Sequence, residues 1–225
     1  FGSIPLHFAS AFGRLGIAKM LIGKGADVNA KGNYDFTPLH SAAKANHIEV
    51  AKLLITKGAD VNAKSDAGTP LHNAFSGEVA KLLISKGADI SAKNDMNGFT
   101  PLHNAVYYGR TEVVKVLLDK GADIKAKDNF GGTPLNALDM FSKTEIIKLL
   151  LAKGADINTK DDNGSTPLHR VVGQDFSNTL KLVRFLISKG ADVNAKNLGS
   201  ETPLDIAKND EIKKLLKKHG AKSGK

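Results

Sequence analysis

The sequence predicts a mainly α-helical solenoid of stacked helix-turn-helix units joined by β-hairpin loops. Three observations predict it. A Thr-Pro-Leu-His phrase, answered about twenty residues later by Lys-Gly-Ala-Asp, comes round seven times with variations. Its prolines (Pro5, Pro38, Pro70, Pro101, Pro134, Pro167 and Pro203) are separated by 33, 32, 31, 33, 33 and 36 residues, the mark of one small unit stacked on itself. Each phrase opens on a helix-start signal and closes on a helix-stop signal. Because a unit of this size cannot bury its own apolar face, neighbours must supply a continuous core.

Residues 94–127 show how one unit is written. Asn94 to Phe99 form a polar tip, and Thr100-Pro101 starts a helix. The Thr hydroxyl accepts from an orphan N–H of the first turn, and Pro at the first helical position sacrifices no hydrogen bond. The first helix is short and buries Leu102 and Ala105; the chain turns around Gly109. A second helix follows, with Val113, Val114, Val116, Leu117 and Leu118 apolar and Lys115 outward. Gly121 stops it, because glycine takes the left-handed cap conformation cheaply. Ala122-Asp123-Ile124 is then extended, and a polar turn leads to the next Thr-Pro.

Taken in order, the units span 1–31, 32–64, 65–93, 94–127, 128–160, 161–196 and 197–225, read as a single domain with no linker. Repeat 1 has Ile4 in place of its capping Thr and no polar cap, so more chain is expected upstream. Repeats 3 and 7 lack three residues between their helices, while repeat 6 gains three around Gly173-Gln174-Asp175-Phe176. Three residues make nearly one helical turn, so helices can change length and keep their faces. Repeat 5 has Asn136 for His, Leu138 for a small Ala, and Asp139 where Ala43 stands in repeat 2; its stacking should be looser or locally rearranged. Repeat 7 puts Lys213 and Lys217 where Ala51 and Ile55 lie in repeat 2, as a C-terminal cap should. Ser223-Gly224-Lys225 is expected to fray.

This pattern resembles the ankyrin repeat. Thr-Pro-Leu-His is intact at Thr37–His40, Thr69–His72, Thr100–His103 and Thr166–His169. Gly-Ala-Asp is intact at Gly25, Gly58, Gly87, Gly121, Gly154 and Gly190. The resemblance implies the ankyrin-repeat solenoid fold and protein partners docking on a concave side formed by hairpin tips and first helices. It also implies that Asn29, Asn62, Asn158 and Asn194 match asparagines hydroxylated in some members.

Composition narrows the chemistry. There is no cysteine, hence no disulfide or thiolate site, which fits an intracellular protein, cytoplasmic or delivered into a host cell as an effector. No apolar run approaches a membrane span. Five of the seven histidines (His7, His40, His72, His103, His169) share one repeat position. Stacked helices stand about 8–10 Å apart, whereas a zinc ion needs nitrogens about 2 Å away. These histidines are therefore expected to bond near their own capping Thr and the adjacent hairpin, with His47 and His219 at helix-end surfaces. The aspartates Asp27, Asp60, Asp89, Asp123, Asp156 and Asp192 read as turn-stabilising residues. No phosphate loop or nucleophile elbow is present, and neither metal nor cofactor is expected.

The net charge of +9 comes largely from periodic lysines. Lys24, Lys57, Lys86, Lys120, Lys153 and Lys189 precede the capping glycines, where a cation suits the helix dipole. Lys31, Lys64, Lys93, Lys127, Lys160 and Lys196 mark the hairpins. The bland reading is solvated faces; the functional one is a basic ribbon meeting an acidic partner. No base-stacking aromatics interleave with these columns, which argues against nucleic acid.

Apolar residues at otherwise polar repeat positions are the partner-binding candidates. They are Tyr34 and Phe36 at the tip of repeat 2, Met96 and Phe99 at that of repeat 4, and Phe130 at that of repeat 5. The turns after the first helices add Tyr107, Tyr108, Met140 and Phe141, and Phe12 in repeat 1. Phe36 and Phe99 have a second reading as hairpin packing. The leading functional reading is a monomeric, non-enzymatic scaffold that binds a protein partner. The alternatives are a targeting arm of a larger enzyme or effector, and electrostatic binding of nucleic acid or anionic lipid by the lysines.

Overall fold

A computed structural model describes residues 5–224; Ile4 and Lys225 lie outside the described residues. Helix starts and stops fall where the repeat phrase places them. Repeat 1 carries α1 (Pro5–Ala11) and α2 (Leu15–Gly23), and repeat 2 carries α3 (Pro38–Lys44) and α4 (Ile48–Thr56). Repeat 3 has α5 (Pro70–Asn73) and α6 (Gly77–Ser85), and repeat 4 has α7 (Pro101–Tyr107) and α8 (Thr111–Asp119). In repeat 5 a 3-10 turn (Pro134–Ala137) replaces the first helix and is followed by α9 (Thr144–Ala152). Repeat 6 holds α10 (Pro167–Val172) and α11 (Thr179–Ser188); repeat 7 holds α12 (Pro203–Ile206) and α13 (Asp210–Lys218).

The chain forms two compact units, Phe1–Asn104 with Glu112–Ala122, and Ala105–Thr111 with Asp123–Lys225. In the first unit α1 packs on α3 and α3 on α5, with α2 beside α4 and α4 beside α6. Leu6, Leu39, Leu71 and Leu102 from the first helices and Val50, Leu54, Val79 and Leu83 from the second are almost wholly buried. In the second unit the 3-10 turn packs on α10, α10 on α12, α9 on α11 and α11 on α13, around Leu135, Ile146, Ile147, Leu150, Leu168 and Leu186. Full burial of one such side chain is worth roughly 1.5–3 kcal/mol, so the leucine columns dominate cohesion.

The second helices close identically. Gly58 N–H donates to the Ile55 carbonyl at 3.0 Å and Ala59 N–H to the Leu54 carbonyl at 2.9 Å. This two-bond closure needs a left-handed residue, and Gly25, Gly58, Gly87, Gly121, Gly154, Gly190 and Gly220 all have φ between 82 and 91°. The missing residues of repeats 3 and 7 are taken from the first helix: α5 and α12 have four residues against seven in α3, while α6 and α13 keep nine. The three extra residues of repeat 6 enter the turn between α10 and α11 instead. Repeat 5 is rearranged without loosening. Leu138 is extended (φ −62°, ψ 133°), and that conformation lets the large side chain reach full burial where a helix would offer space for alanine.

The loops reverse the chain as hairpins do, yet among the described residues they contain no strand, only an isolated bridge between Ser65 and Gly68. Side chains do the bonding instead. Asp27, Asp60, Asp89, Asp123, Asp156 and Asp192 each accept, through Oδ1, the N–H two residues on at 2.8–2.9 Å. The asparagines then bridge repeats: Asn29 Nδ2 donates to the Gly58 carbonyl at 3.0 Å, and its Oδ1 accepts Asp60 N–H at 2.7 Å. Asn62, Asn158 and Asn194 do the same. Ser91 and Lys125 occupy the matching positions in repeats 3 and 4 and have no amide to offer.

Two expectations are corrected here. The hairpin lysines of the second unit are tied rather than freely solvated: Lys127 Nζ donates to the Lys160 carbonyl, Lys160 Nζ to that of Lys196, and Lys196 Nζ to that of Gly224, at 2.9–3.3 Å. The tail is also anchored up to Gly224. Asp205 stands at the histidine position of repeat 7, where it accepts Thr202 N–H at 2.8 Å. A carboxylate has no proton to give, so it takes Ser223 Oγ–H at 2.6 Å and Gly224 N–H at 2.8 Å from the tail. These bonds, Ser223 first, hold its pKa far below the usual carboxylate range.

Candidate functional site

The histidine column is structural, and its geometry fixes the tautomer. Thr37 N–H donates to His40 Nδ1 at 3.1 Å, so Nδ1 is an acceptor and Nε2 carries the proton, which it gives to the Gly68 carbonyl at 3.0 Å. His72 repeats this with Thr69 and Phe99, and His169 with Thr166 and Glu201. With both nitrogens engaged, these rings have no lone pair for a metal. Among the described residues no three His, Asp or Glu side chains converge as a metal site. Desolvation by burial lowers the pKa of His72 and His169, and that of His40 to about 4. His47, expected at the surface, is half-buried and bonds the Ala11 carbonyl through Nε2 at 3.1 Å.

The aromatic candidates divide between the two units. In the first, Tyr34 is 75% exposed, in a left-handed turn (φ 58°), and Met96 is 71% exposed. Phe99 is only 6% exposed and stacks on His103, ring centroids 5.2 Å apart, so it leaves the surface set. Phe36 covers His40 in the same way at 5.0 Å and is half-buried. The residue before the capping Thr thus roofs the buried imidazole of its own repeat. Beside Phe36 a shallow cleft is lined by Phe8, Tyr34, Ser41 and Lys44.

The second unit brings Tyr107, Tyr108, Met140 and Phe141 together. Tyr108, Met140 and Phe141 are each 41–51% exposed, and Tyr107 is half-buried. Tyr107 and Tyr108 meet edge to face at 5.0 Å, and Tyr108 lies 6.4 Å from Phe141. The Arg110 guanidinium sits over the Tyr108 ring at 4.8 Å, a cation–π contact. The Tyr107 hydroxyl bonds Asp139, which together with burial raises its pKa above the ordinary phenol value.

The backbone beneath this patch is held from three sides. Gly109 (φ 65°) passes so close to Phe141 that any Cβ would overlap the Phe141 carbonyl oxygen. Ser142 Oγ accepts Asp139 N–H at 2.9 Å and donates to the Val106 carbonyl at 3.1 Å. Asn178, in the enlarged turn of repeat 6, donates Nδ2 to the carbonyls of Met140 and Ser142 at 2.9 and 3.0 Å. The tyrosine pair, the altered repeat 5 and the enlarged repeat 6 therefore meet in one place. Phe130 is 58% exposed at its loop tip, whose carbonyl accepts Asp162 N–H at 2.9 Å.

Sequence reading missed three exposed residues in comparable positions: Phe8, Phe75 and Leu198. Phe8 holds the place taken by Ser41, Asn73 and Asn104, and Leu198 replaces a polar loop-tip residue. Both carry the apolar-for-polar signal used for the others. Phe75 lies in the turn after the shortened first helix of repeat 3, where the three-residue deficit blurs the alignment that would reveal it.

Comparison with known proteins places the whole. A family profile for ankyrin repeats matches three times, over residues 1–65, 64–128 and 136–225. No curated protein sequence matches the chain significantly. Among solved structures, the human ASB11 ankyrin repeat domain is similar with a TM-score of 0.83 and 29% identity, over 98% of this chain and 99% of that one. The ankyrin repeat domain of Bcl-3, a member of the IkappaB protein family, is similar with a TM-score of 0.70 and 32% identity, over 96% of this chain and 99% of that one. No helix among the described residues is long and apolar enough to cross a membrane. With the ankyrin-repeat profile matching over nearly its whole length and its helix-turn-helix units built alike, this chain belongs to the ankyrin-repeat family.

Proposed function

We propose that this chain is a non-catalytic scaffold that binds a protein partner on the surface formed by its first helices and loop tips, the side that is concave in this family. Ankyrin-repeat domains are in general protein–protein interaction modules. The observation that carries the reading for this chain is the patch of Tyr108, Met140 and Phe141, exposed and apolar on a fixed backbone. Aromatic residues on rigid elements lose little entropy on binding and supply the contact area of interface hot spots, and Met adds adaptable apolar surface beside them. Phe130 is a further loop-tip candidate of the second unit, and Tyr34 and Met96 are loop-tip candidates of the first. The ladder residues His, Asp and Asn are engaged internally, which leaves the departures from the repeat to supply specificity. The lysines Lys213 and Lys217 keep the outer face of α13 polar, which supports a monomer. Absence of cysteine suits an intracellular setting.

The test is a side-by-side capture from cell extract with wild type and a Tyr107→Ala/Tyr108→Ala/Phe130→Ala variant of equal thermal stability. Loss of the wild-type partners by the variant is expected. Equal capture by both proteins would sink the mapped surface.

A further inference from the structure

We propose that the Tyr108–Met140–Phe141 patch docks an acidic protein segment that carries an apolar side chain beside its carboxylates. This rests on the scaffold reading above and names the chemistry of the partner. The charge around the patch favours such a segment. The second unit has 19 Lys and Arg against 13 Asp and Glu, a balance of +6 out of +9 for the chain. At the patch itself, Arg110 is fixed against Tyr108, the charge of Arg170 is felt at the Tyr107 hydroxyl, and the exposed Lys143 follows Ser142. The same segments hold two carboxylates, Asp139 and Asp175. Asp139 is already engaged by Met140 N–H at 2.7 Å and by the Tyr107 hydroxyl. An incoming carboxylate thus meets cations next to an apolar surface.

Each component has a separate role. Phe141 and Met140 supply the apolar contact, and the braced backbone keeps that contact from collapsing when the partner leaves. Arg110 supplies a charge whose position does not have to be ordered on binding, since the Tyr108 ring already holds it. Arginine also presents a planar fork of donors that suits a carboxylate better than a lysine does. Nucleic acid fits less well. Base stacking needs an open aromatic face, and Tyr108 has Arg110 over its ring and Tyr107 against it.

The experiment is a selection of random phage-displayed dodecapeptides on the full chain, counter-selected on the Tyr108→Ser/Phe141→Ser variant. Affinities of the enriched peptides are then measured by fluorescence anisotropy. Circular dichroism and melting first confirm that each variant is folded; Lys143→Gln, at an exposed side chain, backs up Arg110→Gln. The expected peptides place Asp or Glu next to an aromatic or aliphatic residue. Their affinity should fall about tenfold or more in Tyr108→Ser/Phe141→Ser, as for a hot-spot pair, and should weaken with Arg110→Gln, Lys143→Gln and added salt. Peptides that need the patch but carry neutral or basic flanks would overturn the acidic assignment and leave the docking reading intact. Enriched peptides that bind the double variant equally, or no enrichment at all, would overturn both. Mixed-sequence single-stranded DNA binding the patch with equal affinity would overturn the protein assignment.

Discussion

Asn136 Oδ1 accepts the backbone N–H of Thr133 at 2.9 Å, the bond that a histidine Nδ1 makes in repeats 2, 3, 4 and 6. Its Nδ2 donates to the carbonyls of Thr159 and Ser165 at 3.3 Å, as a histidine Nε2 donates to the next loop. The amide therefore reproduces both ends of the imidazole. Asn136→Ala should cost about 2 kcal/mol, because it leaves buried Thr133 and loop groups unsatisfied. Asn136→His should cost much less. Urea unfolding of the two variants checks the ordering.

Protonation of His40, His72 and His169 should destabilise the fold in a defined window. Burial holds His40 at about 4 when folded, against 6.5 for the free side chain. The folded state therefore prefers the neutral ring. This stability is fully present above pH 6.5 and is lost as pH falls towards 4, because the unfolded chain takes the proton first. Between pH 7 and pH 5 the loss from His40 is about 2 kcal/mol, at about 1.4 kcal/mol per pH unit below the unfolded value. His72 and His169 shift in the same direction and add to it. His40→Asn, which copies the amide of Asn136, should flatten the pH dependence of the urea midpoint. An unchanged slope would assign the effect elsewhere.

The asparagine bridges predict one loss and one gain. Asn62→Ala removes bonds of 2.9 and 2.8 Å to Gly87 and Asp89, and should cost about 1 kcal/mol. Lys125 has the same loop geometry, its N–H on Asp123 Oδ1 at 2.8 Å. Lys125→Asn should therefore stabilise by up to about 1 kcal/mol. Thermal melts of the two single variants decide both signs.

Gly109→Ala combines a left-handed conformation with overlap against a backbone oxygen of Phe141. Flexible side chains can step aside, but this oxygen belongs to a segment fixed by Asn178. The substitution should cost about 2–3 kcal/mol, more than the strain of φ alone. Loss of the Tyr108–Phe141 proximity should accompany it in side-chain NOE spectra.

What the sequence made legible was local. Helix caps, stopping glycines and turn aspartates each act within three or four residues, so Thr37-Pro38 or Gly58-Ala59 could be read directly. The three-residue deficits of repeats 3 and 7 followed from counting residues; that the first helix gives them up while the turn keeps its length did not. Long-range partners were not legible. Nothing in Asn178 announces that it clamps the carbonyls of Met140 and Ser142, 36–38 residues earlier. Phe99 looked like a tip residue because the sequence does not tell which way a side chain turns; it turned onto His103. The lysine columns looked solvated because ammonium-to-carbonyl bonds between loops leave no periodic trace distinct from that of a wet surface.

Binding is expected where the repeat is interrupted, on the turn after α7 and the segment between Leu138 and Thr144. Amide hydrogen exchange, with and without the tightest peptide from the selection, reads this placement residue by residue. Slowed exchange should be confined chiefly to residues 107–110 and 139–142. Protection of α9, α11 and α13 with those two segments unchanged would place the partner elsewhere and refute it.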